Sequence, residues 1–217
     1  MLYLHACDNK LFLILLRMLT IYGSINSSAG RCLWLLEELG VPYINKPIDF
    51  RSGEHKSSEY LKLNPNGKVP TLVDGEYVLW ESYAINWYLT EKYRPEWLGG
   101  TIEERALVWQ WSLWSQLHVQ KYFDILLYFV LFQVGTEEGV EVAKKDVVRY
   151  LEVLDKHLSN NKYMVGEVFT LADLNLASVI NVGMSLQYDI SSYTHIERWM
   201  TVMKKRPAFV RLMENVS

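Results

Sequence analysis

Two cysteines, Cys7 and Cys32, are all that the 217-residue sequence holds. They form neither a disulfide framework nor a metal-ligand spacing, so no metal is expected and a reducing, cytoplasmic setting is. A surplus of one charge is also missing. The net charge is −3 with no basic run, which excludes generic phosphate-backbone binding and gives no nucleic-acid partner. No stretch is long and apolar enough for a membrane partner. The run Leu11-Phe-Leu-Ile-Leu-Leu16 falls far short of the roughly 20 residues a span needs. A signal peptide would place basic residues before a longer core and a small-residue cleavage site after it. Here Asp8 precedes Lys10 and no such site follows. Residues 1–17 are therefore expected to be an extension outside the fold, a cleaved or anchoring leader being the lesser alternative. Internal repeats and low-complexity tracts are absent.

What the sequence does have is apolar mass. Half its residues are apolar, with 8 Trp and 14 Tyr, enough for the core of one or two domains. Residues 64–82 organise the rest. Asp74-Gly75 lies between the short apolar runs 71–73 and 77–80, a hairpin signal. Val69 precedes Pro70, so it is forced extended, and Pro70 cannot donate to a strand partner. An added peptide could instead pair with Val69. Ser82 is a good N-cap for the apolar helical spacing at 84, 85, 88 and 89, and free N–H groups there would bind an anion.

Taken in order, residues 19–22 read as a strand and 23–30 as a polar loop. Residues 31–39 read as a helix stopped by Gly40, and 43–48 as a strand weakened by Pro47. Residues 49–63 suit a short or irregular helix, followed by the hairpin and the helix from Ser82. The order β-α-β-α-β-β-α implies a four-stranded mixed sheet flanked by helices. Arg94-Pro-Glu-Trp-Leu-Gly-Gly100 breaks the pattern as a linker. Thr101-Ile-Glu-Glu104 is a capping box, and helices are expected over 102–132 and 137–158. Thr170-Leu-Ala-Asp173 caps a helix that is apolar almost all round, and residues 196–204 and 208–213 complete an all-α half. The domains are thus expected at 18–97 and 98–217.

Asn64-Pro-Asn-Gly67 leading to Val69-Pro70, then Glu81-Ser82 and a helical half, resembles a cytosolic glutathione transferase. The resemblance covers residues 18–217. It also includes Leu36-Glu-Glu-Leu-Gly40, Gly53-Glu-His-Lys56, Phe169-Thr-Leu-Ala-Asp173 and Arg206-Pro-Ala-Phe209. His55-Lys56 ahead of Asn-Pro-x-Gly is similar to the phi-type and related bacterial or fungal enzymes. The resemblance implies a thioredoxin-like N-terminal domain, an all-helical C-terminal one, and a homodimer. It implies glutathione as co-substrate, Val69 before a cis Pro70 pairing with the cysteinyl main chain. Glu81 would meet the ammonium and Ser82 the carboxylate of the γ-glutamyl end. His55, Lys56 and Lys68 would surround the glycine carboxylate.

In serine-type members of that family a hydroxyl lies four residues ahead of a helix arginine. Arg31 puts that position at Ser27. Asn26 is the other catalytic candidate, with Ser24 and Ser28 in reach of the same site. Tyr22 is expected to pack, and Cys32 to be a small packing residue. A free thiol with a pKa of about 8.5 is only a few per cent thiolate at neutral pH. Lowering it to about 7 requires roughly 2 kcal/mol. A hydrogen bond to the charged form supplies about 1.5–3 kcal/mol and a helix N-terminus about 0.3–1 kcal/mol. Leu107, Trp111, Trp114, His118 and Tyr122 form a stripe at helical spacing. It is either interface core or, at Trp111, Trp114 and Tyr122, the wall of an apolar substrate pocket.

The expected function is attack of glutathione thiolate on an electrophilic carbon or a peroxide. Two alternatives stand beside it. One is a non-catalytic binding or regulatory module of the same fold, and the other a glutathione-dependent isomerase or dehalogenase.

Overall fold

The structure, a computed structural model, describes residues 18–214. The extension expected over residues 1–17 lies outside them. Of the described residues, those up to Leu89 and from Arg211 onward form one compact unit, and Thr90–Val210 the other.

The first unit is built on four short strands. Strand β1 (Leu19–Tyr22) alternates buried and half-buried residues. Helix α1 (Gly30–Leu39) ends at Gly40, whose φ of 63° lets its N–H reach the Leu36 carbonyl. Strand β2 (Tyr43–Lys46) runs parallel to β1, with Leu19 opposite Tyr43 and Ile21 opposite Asn45. It stops two residues short of the expected range, because Pro47 has no N–H to continue the ladder. The short or irregular helix expected over 49–63 is a 3₁₀ turn (Glu54–Lys56) followed by the short helix α2 (Ser58–Leu63). Ser57 caps α2 by accepting the Tyr60 N–H.

Strands β3 (Thr71–Asp74) and β4 (Tyr77–Trp80) form the hairpin. Asp74 pairs with Tyr77, so the tight turn is Gly75-Glu76, one residue beyond Asp74-Gly75. The sheet order is β2-β1-β3-β4, with β3 antiparallel to both neighbours. Helix α3 (Ser82–Tyr93) follows. Ser82 is its first helical residue rather than its N-cap. The cap position falls to Glu81, whose carbonyl accepts the Ile85 N–H at 2.9 Å and whose φ is 74°.

The second unit is helical. A 3₁₀ turn (Pro95–Leu98) precedes α4 (Ile102–Trp114), which opens with the Thr101–Glu104 capping box. The single helix expected over 102–132 is continuous but not uniform. Between α4 and α5 (Lys121–Phe132) lies a π-helical stretch, Ser115–Gln120. At its start the Ser115 hydroxyl donates to the Ser112 carbonyl at 2.8 Å.

Helix α6 (Glu137–Leu158) buries Val140, Ala143, Val147, Leu151, Leu154 and Leu158, one face at three- and four-residue spacing. Helix α7 (Leu171–Ser185) is buried almost throughout and carries the second capping box, Thr170 with Asp173. Helices α8 (Thr194–Lys204) and α9 (Pro207–Glu214) complete the chain. The end of α9 returns to the first unit, where Arg211 Nε meets Glu37 Oε2 at 3.2 Å and Nη2 meets the Glu37 carbonyl at 3.0 Å. The boundary between these compact units falls inside α3 and again inside α9. The β-α-β-α-β-β-α half and the all-α half expected from the sequence are both present.

Candidate active site

The loop after β1 and the segment before β3 meet at Gly23. A Cβ placed on Gly23 would lie 3.1 Å from the Val69 side chain and 3.4 Å from Ser27 Oγ. Its φ of 127° also favours glycine. Ser27 and Val69 are thus neighbours across one point, as the sequence expects of a thiol-activating hydroxyl and a peptide-pairing edge.

Ser27 is half-buried. Its hydroxyl donates to the Ser24 carbonyl at 2.7 Å and accepts the Ala29 N–H at 3.2 Å. The accepted bond polarises the hydroxyl and makes its proton a better donor once it turns from Ser24. The N-terminus of α1 begins three residues later, adding positive potential. Ser24, Asn26 and Ser28 are exposed on the same loop.

Why the chain reaches Val69 in this form follows from Asn64. The Val69–Pro70 peptide is cis. The Lys68 carbonyl just before it accepts from Tyr60 Oη at 2.7 Å and Asn64 Nδ2 at 2.8 Å. Tyr60 Oη also lies 2.9 Å from Thr71 Oγ1, on the far side of the proline. Asn64 Oδ1 accepts the Asn66 N–H at 3.0 Å, closing the turn that delivers Gly67. At Gly67 φ is 59°, and a Cβ would stand 2.9 Å from the His55 carbonyl. Only glycine passes there. Val69 itself makes no main-chain hydrogen bond among the described residues.

Of the remaining expected contacts, His55 is half-buried with its ring 4.6 Å from that of Phe50. Its Nδ1 is buried with no hydrogen-bond partner among the described residues. Lys56 and Lys68 are exposed cations, and Glu81 is an exposed carboxylate beside buried Ser82.

Arg31 serves in the sequence only as a register mark, and the structure gives it more to do. It is 6 % exposed, and its Nη1 donates to Ser82 Oγ at 3.1 Å. Its guanidinium lies over the Tyr83 ring, 4.6 Å from the centroid. No carboxylate pairs with it among the described residues, and its Nε has no hydrogen-bond partner there. A buried cation without an anion is costly unless an anion arrives. The signal missed in the sequence was an arginine inside an otherwise apolar helix face. Tyr60 was likewise missed, since a tyrosine on a short helix carries no mark of what its hydroxyl will hold.

Cys32 is buried, its Sγ is 3.6 Å from the Ser82 carbonyl, and burial pushes its thiol up to about 12. It packs and does not ionise.

Trp111, Trp114 and Tyr122 lie in the second unit. Trp111 packs edge-on against Trp114 at 5.2 Å, and its ring lies tilted against that of His157 at 4.4 Å. Trp114 contacts Tyr150 edge-on at 5.9 Å, and Tyr122 stacks on Tyr150 at 5.8 Å. The stripe is thus closed by rings from α6. Trp111 is buried, while Trp114 and Tyr122 keep partial exposure. Among the described residues no group of His, Cys, Asp or Glu could hold a metal ion, and no helix is long and apolar enough to cross a membrane.

Comparison with known proteins gives the same answer for both halves. The family model "Glutathione S-transferase, N-terminal domain" matches residues 17–91, and "Glutathione S-transferase, C-terminal domain" matches residues 119–207. The chain is 34 % identical to glutathione S-transferase F9 of Arabidopsis thaliana, over 88 % of this chain and 94 % of that one. Its structure is similar to that of glutathione S-transferase I from maize in complex with an atrazine–glutathione conjugate. That match has a TM-score of 0.82 and 33 % identity over 90 % and 96 % of the two chains. A fungal relative, the URE2P6 glutathione transferase of Phanerochaete chrysosporium with oxidized glutathione, matches with a TM-score of 0.83. Its identity is 28 %, over 92 % of this chain and 96 % of that one. This chain belongs to the glutathione S-transferase family.

Proposed function

We propose that the protein is a glutathione transferase that stabilises the glutathione thiolate at Ser27. The observation that carries this is the convergence of Ser27 Oγ and Val69 at Gly23, with Val69's main chain free to pair. The cysteinyl residue of glutathione pairs with Val69, which directs its sulfur to the Ser27 loop. The γ-glutamyl carboxylate takes Ser82 at the start of α3, with Arg31 behind that hydroxyl as counter-charge. Glu81 takes the ammonium. His55, Lys56 and Lys68 take the glycine carboxylate.

In the reaction the thiol proton leaves to solvent, and the Ser27 O–H turns from Ser24 to the sulfur anion. The sulfur lone pair then forms an S–C bond to an aryl halide while the C–halogen bond breaks. Halide departs with its electron pair. With a hydroperoxide, an S–O bond forms as the O–O bond breaks, and the alcohol leaves after protonation.

Trp114 and Tyr122 are proposed to offer apolar surface to the second substrate, with Trp111 backing them. The domain roles are residues 18–97 for glutathione and 98–217 for the helical part. A cytoplasmic location suits a chain whose described cysteine is a free, buried thiol.

Calorimetry with glutathione and turnover of a generic aryl halide test the proposal together. Heat of binding with turnover is the expected result. Binding without turnover of the halide or a hydroperoxide would point to a non-catalytic module. No binding by a folded protein would end the proposal.

A further inference from the structure

Arg31 stands in α1 among buried apolar residues and is itself buried. A guanidinium keeps its charge on burial, so without an anion to answer it the cost of desolvation stands. Three neighbours are close enough to answer, and none does. The Tyr83 ring, 4.6 Å from the guanidinium carbon, offsets part of the desolvation but brings no negative charge. Cys32 is next in the chain, yet burial holds its thiol up to about 12 even beside Arg31. Ser82 is a neutral hydroxyl.

The polarity of the Arg31–Ser82 bond follows from what each group can give. Arginine has hydrogens to donate and no lone pair to offer, so in the 3.1 Å contact Ser82 Oγ accepts from Nη1. The Ser82 proton is thereby turned away from Arg31. It meets no acceptor among the described residues, and neither does the hydrogen on Arg31 Nε. Ser82 is also buried, and it opens the 12-residue helix α3, whose first turn holds no acidic side chain. A buried positive charge, an unspent hydroxyl proton and a helix N-terminus thus meet at one residue. All three favour a carboxylate.

Glu81, the residue before Ser82, is in the opposite condition. Its carboxylate is exposed, so pairing with an ammonium there is screened by water. The two charges of an amino-acid head are therefore read with unequal strength, the carboxylate by buried groups and the ammonium at the surface.

We propose that Arg31 is a positioning residue that fixes Ser82 as a carboxylate donor, so that the protein reads the γ-glutamyl end chiefly by its α-carboxylate and accepts thiol tripeptides that lack the α-ammonium. This rests on the glutathione transferase function proposed above and extends it to a class of thiol co-substrates.

Two analogues of glutathione separate the charges. Glutaryl-cysteinylglycine keeps the carboxylate and lacks the ammonium, whereas 4-aminobutanoyl-cysteinylglycine keeps the ammonium and lacks the carboxylate. In calorimetry on the wild-type chain, loss of the carboxylate weakens binding at least about tenfold relative to glutathione. Loss of the ammonium weakens it by no more than about fivefold, and the glutaryl tripeptide is conjugated to the aryl halide. Equal losses, or a larger loss with the ammonium, overturn the proposal. So does a glutaryl tripeptide that binds but is not conjugated where glutathione is.

Arg31→Met tests the residue itself. It weakens glutathione at least about tenfold and leaves 4-aminobutanoyl-cysteinylglycine within about twofold of its wild-type affinity. A variant that weakens both ligands equally assigns Arg31 to the fold alone and overturns the proposal. The wild-type titrations remain decisive even where the Arg31→Met chain folds poorly. If glutathione itself does not bind, the proposed function falls and this inference with it. If glutathione binds and its two analogues lose affinity equally, only this inference falls.

Discussion

A hydroxyl bonded to its own loop cannot at the same moment stabilise a thiolate. Ser27 must turn its proton away from the Ser24 carbonyl, and the Ala29 N–H that it accepts remains to hold the oxygen in place. Replacing it removes a bond made only to the charged sulfur. Ser27→Ala should therefore lower kcat/KM by at least about tenfold, with glutathione affinity by calorimetry nearly unchanged. Asn26→Ala is the control, because Asn26 is exposed on the same loop. If the asparagine variant shows the loss and the serine variant does not, the thiol-activating group is Asn26. Arg31 teaches a different lesson. Its position in the sequence is legible, but its burial and its bond to Ser82, 51 residues on, exist only once α1 and α3 have packed.

At the scale of elements, the turn before Val69 is held by contacts a sequence motif encodes only in part. Gly67 has a φ of 59° and no room for a Cβ against the His55 carbonyl, whereas Gly75 has a φ of 63° with open space around it. Gly67→Ala should cost about 1–3 kcal/mol by urea unfolding and weaken glutathione binding, because it displaces the His55 backbone. Gly75→Ala carries only the conformational strain and should keep its affinity. Equal affinities in the two variants would mean that the turn does not position the site.

The cap of α7 makes a pH prediction. Asp173 accepts from the Met164 and Thr170 N–H groups, the Thr170 hydroxyl and Trp199 Nε1, yet burial outweighs these donors and lifts it to about 6 from 3.8. Its folded value is above its unfolded one, so the folded state binds the proton more tightly. The stabilisation is full below pH 3.8, is lost as pH rises through about 6, and amounts to roughly 3 kcal/mol. Between about pH 7.5 and 5 the urea midpoint of the wild type should rise relative to that of Asp173→Asn. Parallel midpoints would show that the four donors keep the carboxylate ionised throughout.

For the whole molecule, the exposed apolar side chains need an explanation. Trp109, Leu113 and Leu117 repeat every fourth residue along α4 and into the π-helical stretch, and they are 39 %, 42 % and 60 % exposed. Such a stripe on a single helix face is more than scattered surface hydrophobicity. In the first unit Phe50 is also 49 % exposed. A two-fold homodimer covering the stripe is the proposed assembly. Light scattering should give twice the chain mass for the wild type and the chain mass for Leu113→Glu. A wild type of single-chain mass at micromolar concentration would remove the dimer.

The sequence by itself determined the element order, because hydrophobic periodicity, Gly40 and the two capping boxes are local signals that act within a few residues. It also marked the turn over Asn64-Pro-Asn-Gly67 and the helix start at Glu81-Ser82, where proline, glycine and a helix N-terminus set the local geometry. Only the tertiary structure decided where the compact units divide, since the return of Arg211 to Glu37 joins residues 174 apart. It alone placed the buried Arg31 guanidinium behind Ser82. Burial and hydrogen-bond partners belong to the packed arrangement, and no local pattern carries them.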